Sequence, residues 1–128
     1  MRNGFEGYEV SSSVDRLVVE VHEATRGFLG ADPGGLAEQM RTAAVSAAEL
    51  LAREGGLFAS EVRSCEPRER LLAARRRLGE VSAGIDLAEQ LGLLTPADAI
   101  GLFERVLGAN IELARRLDAT LAVDRLAA

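Results

Sequence analysis

"LLAARRRLGEVSAGIDLAEQLGLLTPAD", residues 71–98, decides the fold. Leu71, Ala74, Leu78, Val81, Ile85 and Ala88 are spaced 3-4-3-4-3, the seam spacing of helices in a left-handed bundle. The run closes at Gly92, a residue type that enters the left-handed backbone conformation without a Cβ clash and so ends helices. A new start follows at once. Thr95 suits an N-cap, Pro96 the first helical position, where no amide donor is needed, and Asp98 the third, where a carboxylate meets the positive end of the helix dipole. The stretch therefore predicts a long helix opening at Pro67, a tight stop, and another long helix.

Downstream, Ile100, Phe103, Leu107, Asn110, Ala114, Leu117 and Leu121 keep the three-and-four spacing and are predicted as the seam of the fourth helix. Upstream, Val14, Leu17, Val18, Val21, Thr25 and Phe28 share one face of a first helix over residues 12–28, with Asp15, Glu20, Glu23 and Arg26 away from it. "GADPGG", residues 30–35, stops that helix. A second is predicted over residues 35–53, with Leu36, Met40, Ala43, Ala47 and Leu50 as its stripe and Gly55 and Gly56 as its cap. Alanine at 43, 44, 47 and 48 lets neighbouring backbones approach closely, which makes this the thin central element. The expected architecture is all-α: an antiparallel, up-down-up-down, left-handed four-helix bundle forming one domain over residues 1–128. Residues 1–11 form an N-terminal arm, and residues 54–66 a linker that holds a further turn around 57–62.

Composition agrees with this class. Hydrophobic residues make up 48% of the 128, mostly Ala and Leu, with no Trp and few aromatics, a balance suited to packed helices. Cys65 is the single cysteine, so no intrachain disulfide forms, and it reads as a surface thiol with no partner histidine nearby. No leader-like segment or membrane-length apolar run is visible, and a cytoplasmic setting is expected.

Three stretches, "FEGYEV…VDRLVVEVHEATRGF", "GLAEQMRTAAVS" and "LLAARRRLGEVSAGIDLAEQLGLL", occur in the order and spacing of a known family. The chain resembles the bacterial four-helix-bundle proteins named for the intervening sequences of 23S ribosomal RNA genes, which are similar to the accessory variability proteins of diversity-generating retroelements. Gly35, Leu36, Gln39, Arg41, Ala43, Ser46 and Glu80 match the family pattern. Ala48, Leu50 and Arg53 stand where a proline, an asparagine and a glutamate are usual, His22 stands where an aromatic is usual, and Arg76 and Arg77 replace a small pair. The resemblance implies a homo-oligomeric ring, commonly a pentamer. It also implies association with RNA, DNA or a nucleic-acid-handling partner such as a reverse transcriptase.

The net charge of −5 and a pI near 4.9 argue against broad adhesion to phosphate backbones. Against that balance, Arg68, Arg70, Arg75, Arg76 and Arg77 cluster around a single acid, Glu69. Two readings stand side by side. In one the cluster is a solvated face neutralised by neighbours, with Arg76 reaching Glu80 and Arg70 reaching Glu66. In the other it is a surface for RNA, DNA or an acidic protein, repeated around a ring. No interleaved aromatic supports base stacking.

Enzymatic chemistry finds little support. All fifteen cationic side chains are arginine, so a Walker lysine and a lysine Schiff base are both excluded. A di-iron bundle site needs Glu-x-x-His on two helices, but His22 is the only histidine and Val19 stands three residues before it. "HEATRG", residues 22–27, is out of register with a phosphotransfer histidine pattern, and His22 reads as a packed or groove-lining residue. No catalytic residue, cofactor, metal or small-molecule substrate is expected. Three polar positions are read as structural. Asn110 lies on the predicted fourth seam; Ser46 returns its hydroxyl to the carbonyl four residues earlier; Glu80 faces inward and is held by Arg41. Two functions follow: an oligomeric accessory protein organising nucleic acid or its enzyme, or a protein-interaction scaffold whose acidic balance is the working surface.

Overall fold

The computed structural model describes residues 13–28, 32–52 and 67–127. The arm 1–11, the linker 54–66 with its expected turn, Cys65, and the caps expected at Gly55 and Gly56 lie outside the described residues. Among the described residues there are four α-helices: α1 (Ser13–Thr25), α2 (Leu36–Leu50), α3 (Pro67–Gln90) and α4 (Pro96–Ala127). Two 3₁₀ turns, Arg26–Phe28 and Pro33–Gly35, follow α1 and precede α2, and there is no strand among the described residues. Each helix packs on the next in the chain, and α4 packs on α1.

The first face is as the spacing predicts at Val14, Leu17, Val21, Thr25 and Phe28, all buried, while Val18 is half-buried at its edge. Phe28 enters the core from the 3₁₀ turn. Between α1 and α2 the chain turns through Gly34 and Gly35, at φ 64° and 73°, a conformation that side chains rarely adopt. The start of α2 is capped from a distance, because both Asp32 carboxylate oxygens accept the Ala37 amide proton at 3.2 Å. Along α2, Leu36, Ala37, Met40, Ala43, Ala44, Ala47 and Ala48 are buried. The short side chains allow α3 to settle close, and Gly84 of α3 faces Met40 and Leu36. A Cβ on Gly84 would lie 2.5 Å from Met40 Cγ.

The α3 seam is borne out in full: Leu71, Ala74, Leu78, Val81, Ile85 and Ala88 are all buried. Gly92, at φ 76°, closes it. The Leu93 amide donates to the Ala88 carbonyl at 2.8 Å and the Gly92 amide to Glu89 at 3.0 Å, the paired bonds that satisfy the last carbonyls of a helix. Thr95 then caps α4, its Oγ1 accepting the Asp98 amide proton at 3.1 Å.

The α4 seam departs from its prediction by one residue. The buried positions are Ala99, Leu102, Val106, Ala109 and Leu113, whereas the expected set began Ile100, Phe103, Leu107, Asn110, Ala114. Each expected residue follows a buried one, a rotation of about 100° about the helix axis. Ile100 and Leu107 are 58% and 60% exposed, Ala114 is exposed, and Asn110 is half-buried. The helix carries two apolar stripes with identical spacing, and packing selects between them. Ala99 and Ala109, both fully buried, let neighbouring helices come closer than Ile100 and Asn110 would. Phe103 and Leu117 pack on the edge of the core.

Candidate functional site

The arginine cluster opens α3. Arg68, Arg75, Arg76 and Arg77 are exposed, while Arg70 is half-buried. Arg68 and Arg75, seven apart, share a face, and Arg76 lies one position around from it. The expected neutralisation takes a different partner: Glu80 bonds Arg77 at 3.0 Å, not Arg76. The i,i+3 geometry sets the two side chains side by side in solvent. Glu66, the expected partner of Arg70, lies outside the described residues. Arg68, Arg75 and Arg76 form no ion pair among the described residues. Gly79, one turn beyond Arg75 and Arg76, is exposed and has nothing within 4 Å of its Cβ direction.

The expected Arg41–Glu80 pair is not formed. Glu80 does not face inward: its side chain is 53% exposed and turned to Arg77. Arg41 faces α1 instead. Its Nε donates to Thr25 Oγ1 at 2.7 Å and its Nη2 to the His22 carbonyl at 3.3 Å. Thr25 Oγ1 in turn donates to the Val21 carbonyl at 2.7 Å. The hydroxyl thus accepts one bond and gives another while 2% exposed, which satisfies a polar group that burial would otherwise penalise. The signal for this contact was Thr25 itself, a hydroxyl on an apolar stripe, which must find a partner when the stripe is buried.

A groove of about 540 Å³ lies beside this network, lined by His22, Glu38, Arg41, Thr42, Val45, Ser46 and Glu49. His22 Nδ1 is 2.8 Å from the Val18 carbonyl. A carbonyl only accepts, so Nδ1 donates this bond. Ser46 is half-buried and does not make the expected bond to the Thr42 carbonyl. Among the described residues, His22 bonds neither Ser46 nor Glu49, so the hydroxyl, imidazole and carboxylate are not joined in the hydrogen-bonded relay that nucleophilic catalysis uses.

A second groove, about 510 Å³, runs between α2 and α3. Leu36, Met40, Ala43, Gly84 and Leu87 supply its apolar lining, and Glu38, Gln39, Arg77 and Glu80 its polar lining.

Elsewhere, Asn110 makes no hydrogen bond with a described residue. Two long-range contacts escaped the sequence. Arg116 Nη1 donates to the Leu51 carbonyl at 2.7 Å, placing a cation at the carbonyl end of α2. Arg105 pairs with Glu20, joining α4 to α1. No cluster of three or more His, Cys, Asp or Glu suited to a metal occurs among the described residues, and no described helix is long and apolar enough to cross a membrane. No family model, curated protein or solved structure matches the chain.

Proposed function

We propose that the protein is a non-catalytic, ring-forming accessory protein that engages RNA, DNA or a nucleic-acid-handling enzyme such as a reverse transcriptase through the arginine face of α3. The supporting architecture is an antiparallel, up-down-up-down, left-handed bundle in the cytoplasm. Ring formation, with five subunits, rests on the resemblance to the intervening-sequence family. The observation that carries the reading is the trio Arg68, Arg75 and Arg76, exposed on the first turns of one helix and without an ion pair among the described residues. A solvated face that existed only to be neutral would pair its cations, as Arg77 does with Glu80. With a net charge of −5 on the chain, phosphate contact is confined to this patch, and a ring multiplies it.

The experiment is a salt titration of binding to fluorescent single-stranded RNA and duplex DNA, using the wild type and an Arg68→Ala, Arg75→Ala, Arg76→Ala triple variant. Wild-type affinity should fall steeply with salt, and the variant should bind weakly with a shallower slope. Equal binding by both proteins rejects the patch. Sedimentation of the same samples tests the ring.

A second reading, a protein-interaction scaffold with no nucleic-acid role, is favoured by the acidic balance and by the α2–α3 groove, where an apolar lining meets Glu38, Arg77 and Glu80. Absence of nucleic-acid binding at low salt, with the ring intact, would transfer the proposal to it.

A further inference from the structure

The α3–α4 side of the bundle carries an exposed face built from the residues that follow each buried seam. In α3 the residues one before the seam, Arg77, Glu80, Gly84 and Leu87, line the groove against α2. Those one after it, Arg75, Gly79 and Asp86, therefore turn toward α4. In α4 the residues one before the seam, Arg105 and Gly108, adjoin Glu20 and Ser13 of α1. Those one after it, Ile100 and Leu107, therefore turn toward α3, with Ile111 within about 40° of Leu107 around the helix. Ile100, Leu107 and Ile111 are 58%, 60% and 45% exposed, a run of large aliphatic side chains that marks a contact surface. Arg75, Gly79 and Asp86 are exposed as well. Arg75 forms no ion pair among the described residues, and Asp86 accepts a bond from Gln90 at 2.9 Å and no other. Nothing lies within 4 Å of the Cβ direction of Gly79.

The order of residues along this face makes it complementary to itself. With α3 and α4 antiparallel, as proposed above, α3 ends at Gln90 near where α4 begins at Pro96, so equal steps back along one and forward along the other reach the same level. Four steps bring Asp86 level with Ile100, eleven bring Gly79 level with Leu107, and fifteen bring Arg75 level with Ile111. A carboxylate and an isoleucine thus mark one end of the face, and a guanidinium and an isoleucine the other, about 16 Å away. Turned end over end, the face presents Arg75 to Asp86 and Ile111 to Ile100.

We propose that this face binds a second copy of the chain across a two-fold axis perpendicular to the helices. Each helix then meets its own counterpart running the other way. Arg75 of each copy pairs with Asp86 of the other, Ile100 packs on Ile111, Leu107 packs beside Leu107, and the bare Gly79 positions let the two α3 helices approach closely. Glu104, exposed and about 60° around α4 from Leu107, stands at the rim beside its own counterpart, one screened repulsion against two ion pairs. The face is two helices wide, about 20 Å, and overlaps itself over about 30 Å, so it covers about 600 Å² on each copy and about 1,200 Å² in all, the lower end of specific interfaces. The contact is symmetric and so distinct from the head-to-tail contact that closes a ring. It rests on the antiparallel order of the helices and not on nucleic-acid binding.

Analytical ultracentrifugation of the full chain over a wide range of concentration tests the contact. The wild type should reach twice the mass of a Leu107→Ser variant, whose helical circular dichroism should be unchanged. Asp86→Arg, which keeps every arginine of α3, sets Arg75 against a cation, and Arg75→Asp sets Asp86 against an anion. Each variant alone should associate at least about tenfold more weakly than the wild type, because like charges meet at both ends of the face. An equimolar mixture of the two restores both pairs and should return to wild-type association. Equal masses for the wild type and Leu107→Ser at every concentration overturn the proposal. So does undiminished association of either charge variant alone, or a mixture that fails to regain what the single variants lost.

Discussion

Gly79 and Gly84 lie on the same helix, five residues apart, and substitution by alanine should move stability in opposite directions. In both places alanine removes backbone freedom from the unfolded chain and gains about 0.5–1 kcal/mol of helix propensity. At Gly79 nothing lies within 4 Å of the new methyl, so that gain should appear in full. At Gly84 the methyl would lie 2.5 Å from Met40 Cγ and 3.3 Å from its Sδ, the first almost 1 Å inside ordinary carbon–carbon contact. Met40 is 1% exposed, and the atom in the way is its Cγ, near the root of the side chain, so relief needs the whole side chain to rotate toward the α2–α3 groove that it lines. Overpacking of this kind costs about 1–3 kcal/mol. Because the propensity gain cancels between the two variants, the difference in their stabilities isolates the clash at about 1–3 kcal/mol. Urea unfolding of the wild type and both variants supplies the measurement, with m unchanged as the sign that only stability moved. A Met40→Ala change should cost about 1–3 kcal/mol less in the Gly84→Ala background than in the wild type, because it removes the clashing atoms. Equal stabilisation by Gly79→Ala and Gly84→Ala would refute the close approach of α2 and α3.

Other expectations follow from the contacts around this interface. In a double-mutant cycle of Thr25→Val and Arg41→Met, the couple should differ from additivity by about 1–2 kcal/mol, since the bond joins a buried hydroxyl to a charged donor; Glu80→Ala combined with Arg41→Met should be additive. Ala109→Leu should destabilise by about 1–3 kcal/mol and Ala114→Leu by less than about 0.5 kcal/mol in thermal or urea unfolding, an order that the alternative α4 seam would reverse. Thr95→Ala should cost about 0.5–2 kcal/mol and Thr95→Ser much less, because the hydroxyl caps the Asp98 amide.

What could be read in advance depended on how many solutions each segment allowed. In α3 one apolar stripe runs the length of the helix, while Leu72 and Leu87 stand off it without a repeat and Arg75, Arg76, Arg77, Glu80 and Asp86 fill the remaining faces, so every seam residue was legible. The starts and stops at Gly92, Thr95 and Pro96 were legible because local chemistry alone dictates them. In α4 the sets beginning at Ala99 and at Ile100 have the same spacing, and bulk favoured the wrong one. Only the neighbouring helices reveal that small Ala99 and Ala109 are the residues on which they rest. The polar contacts of the candidate site were harder still. Periodicity along α2 shows that Arg41 leaves the alanine stripe but not whether it meets α1 or α3. The bond from Arg116 to Leu51 spans 65 positions, beyond any local pattern.

This distinction bears on where function resides. Several residues on which the family resemblance rests turn out to have structural employment here: Gly35 adopts the left-handed turn before α2, Leu36 and Ala43 are buried, Gln39 donates to the Gly34 carbonyl, and Arg41 ties α2 to the end of α1. Residues so employed hold the bundle together and do not by themselves carry an activity. Arg76 and Arg77, by contrast, depart from the resembling pattern and are exposed. Only Arg77 is held by an acid, and Arg76 stands with Arg68 and Arg75 as charge not neutralised by a described residue. A binding role for the face of α3 would therefore rest on residues outside the set that carries the resemblance. Arg76→Ala alone should then weaken a salt-sensitive interaction while leaving stability within about 0.5 kcal/mol of wild type, whereas Arg41→Ala should lower stability and leave the salt dependence of binding by the folded protein unchanged.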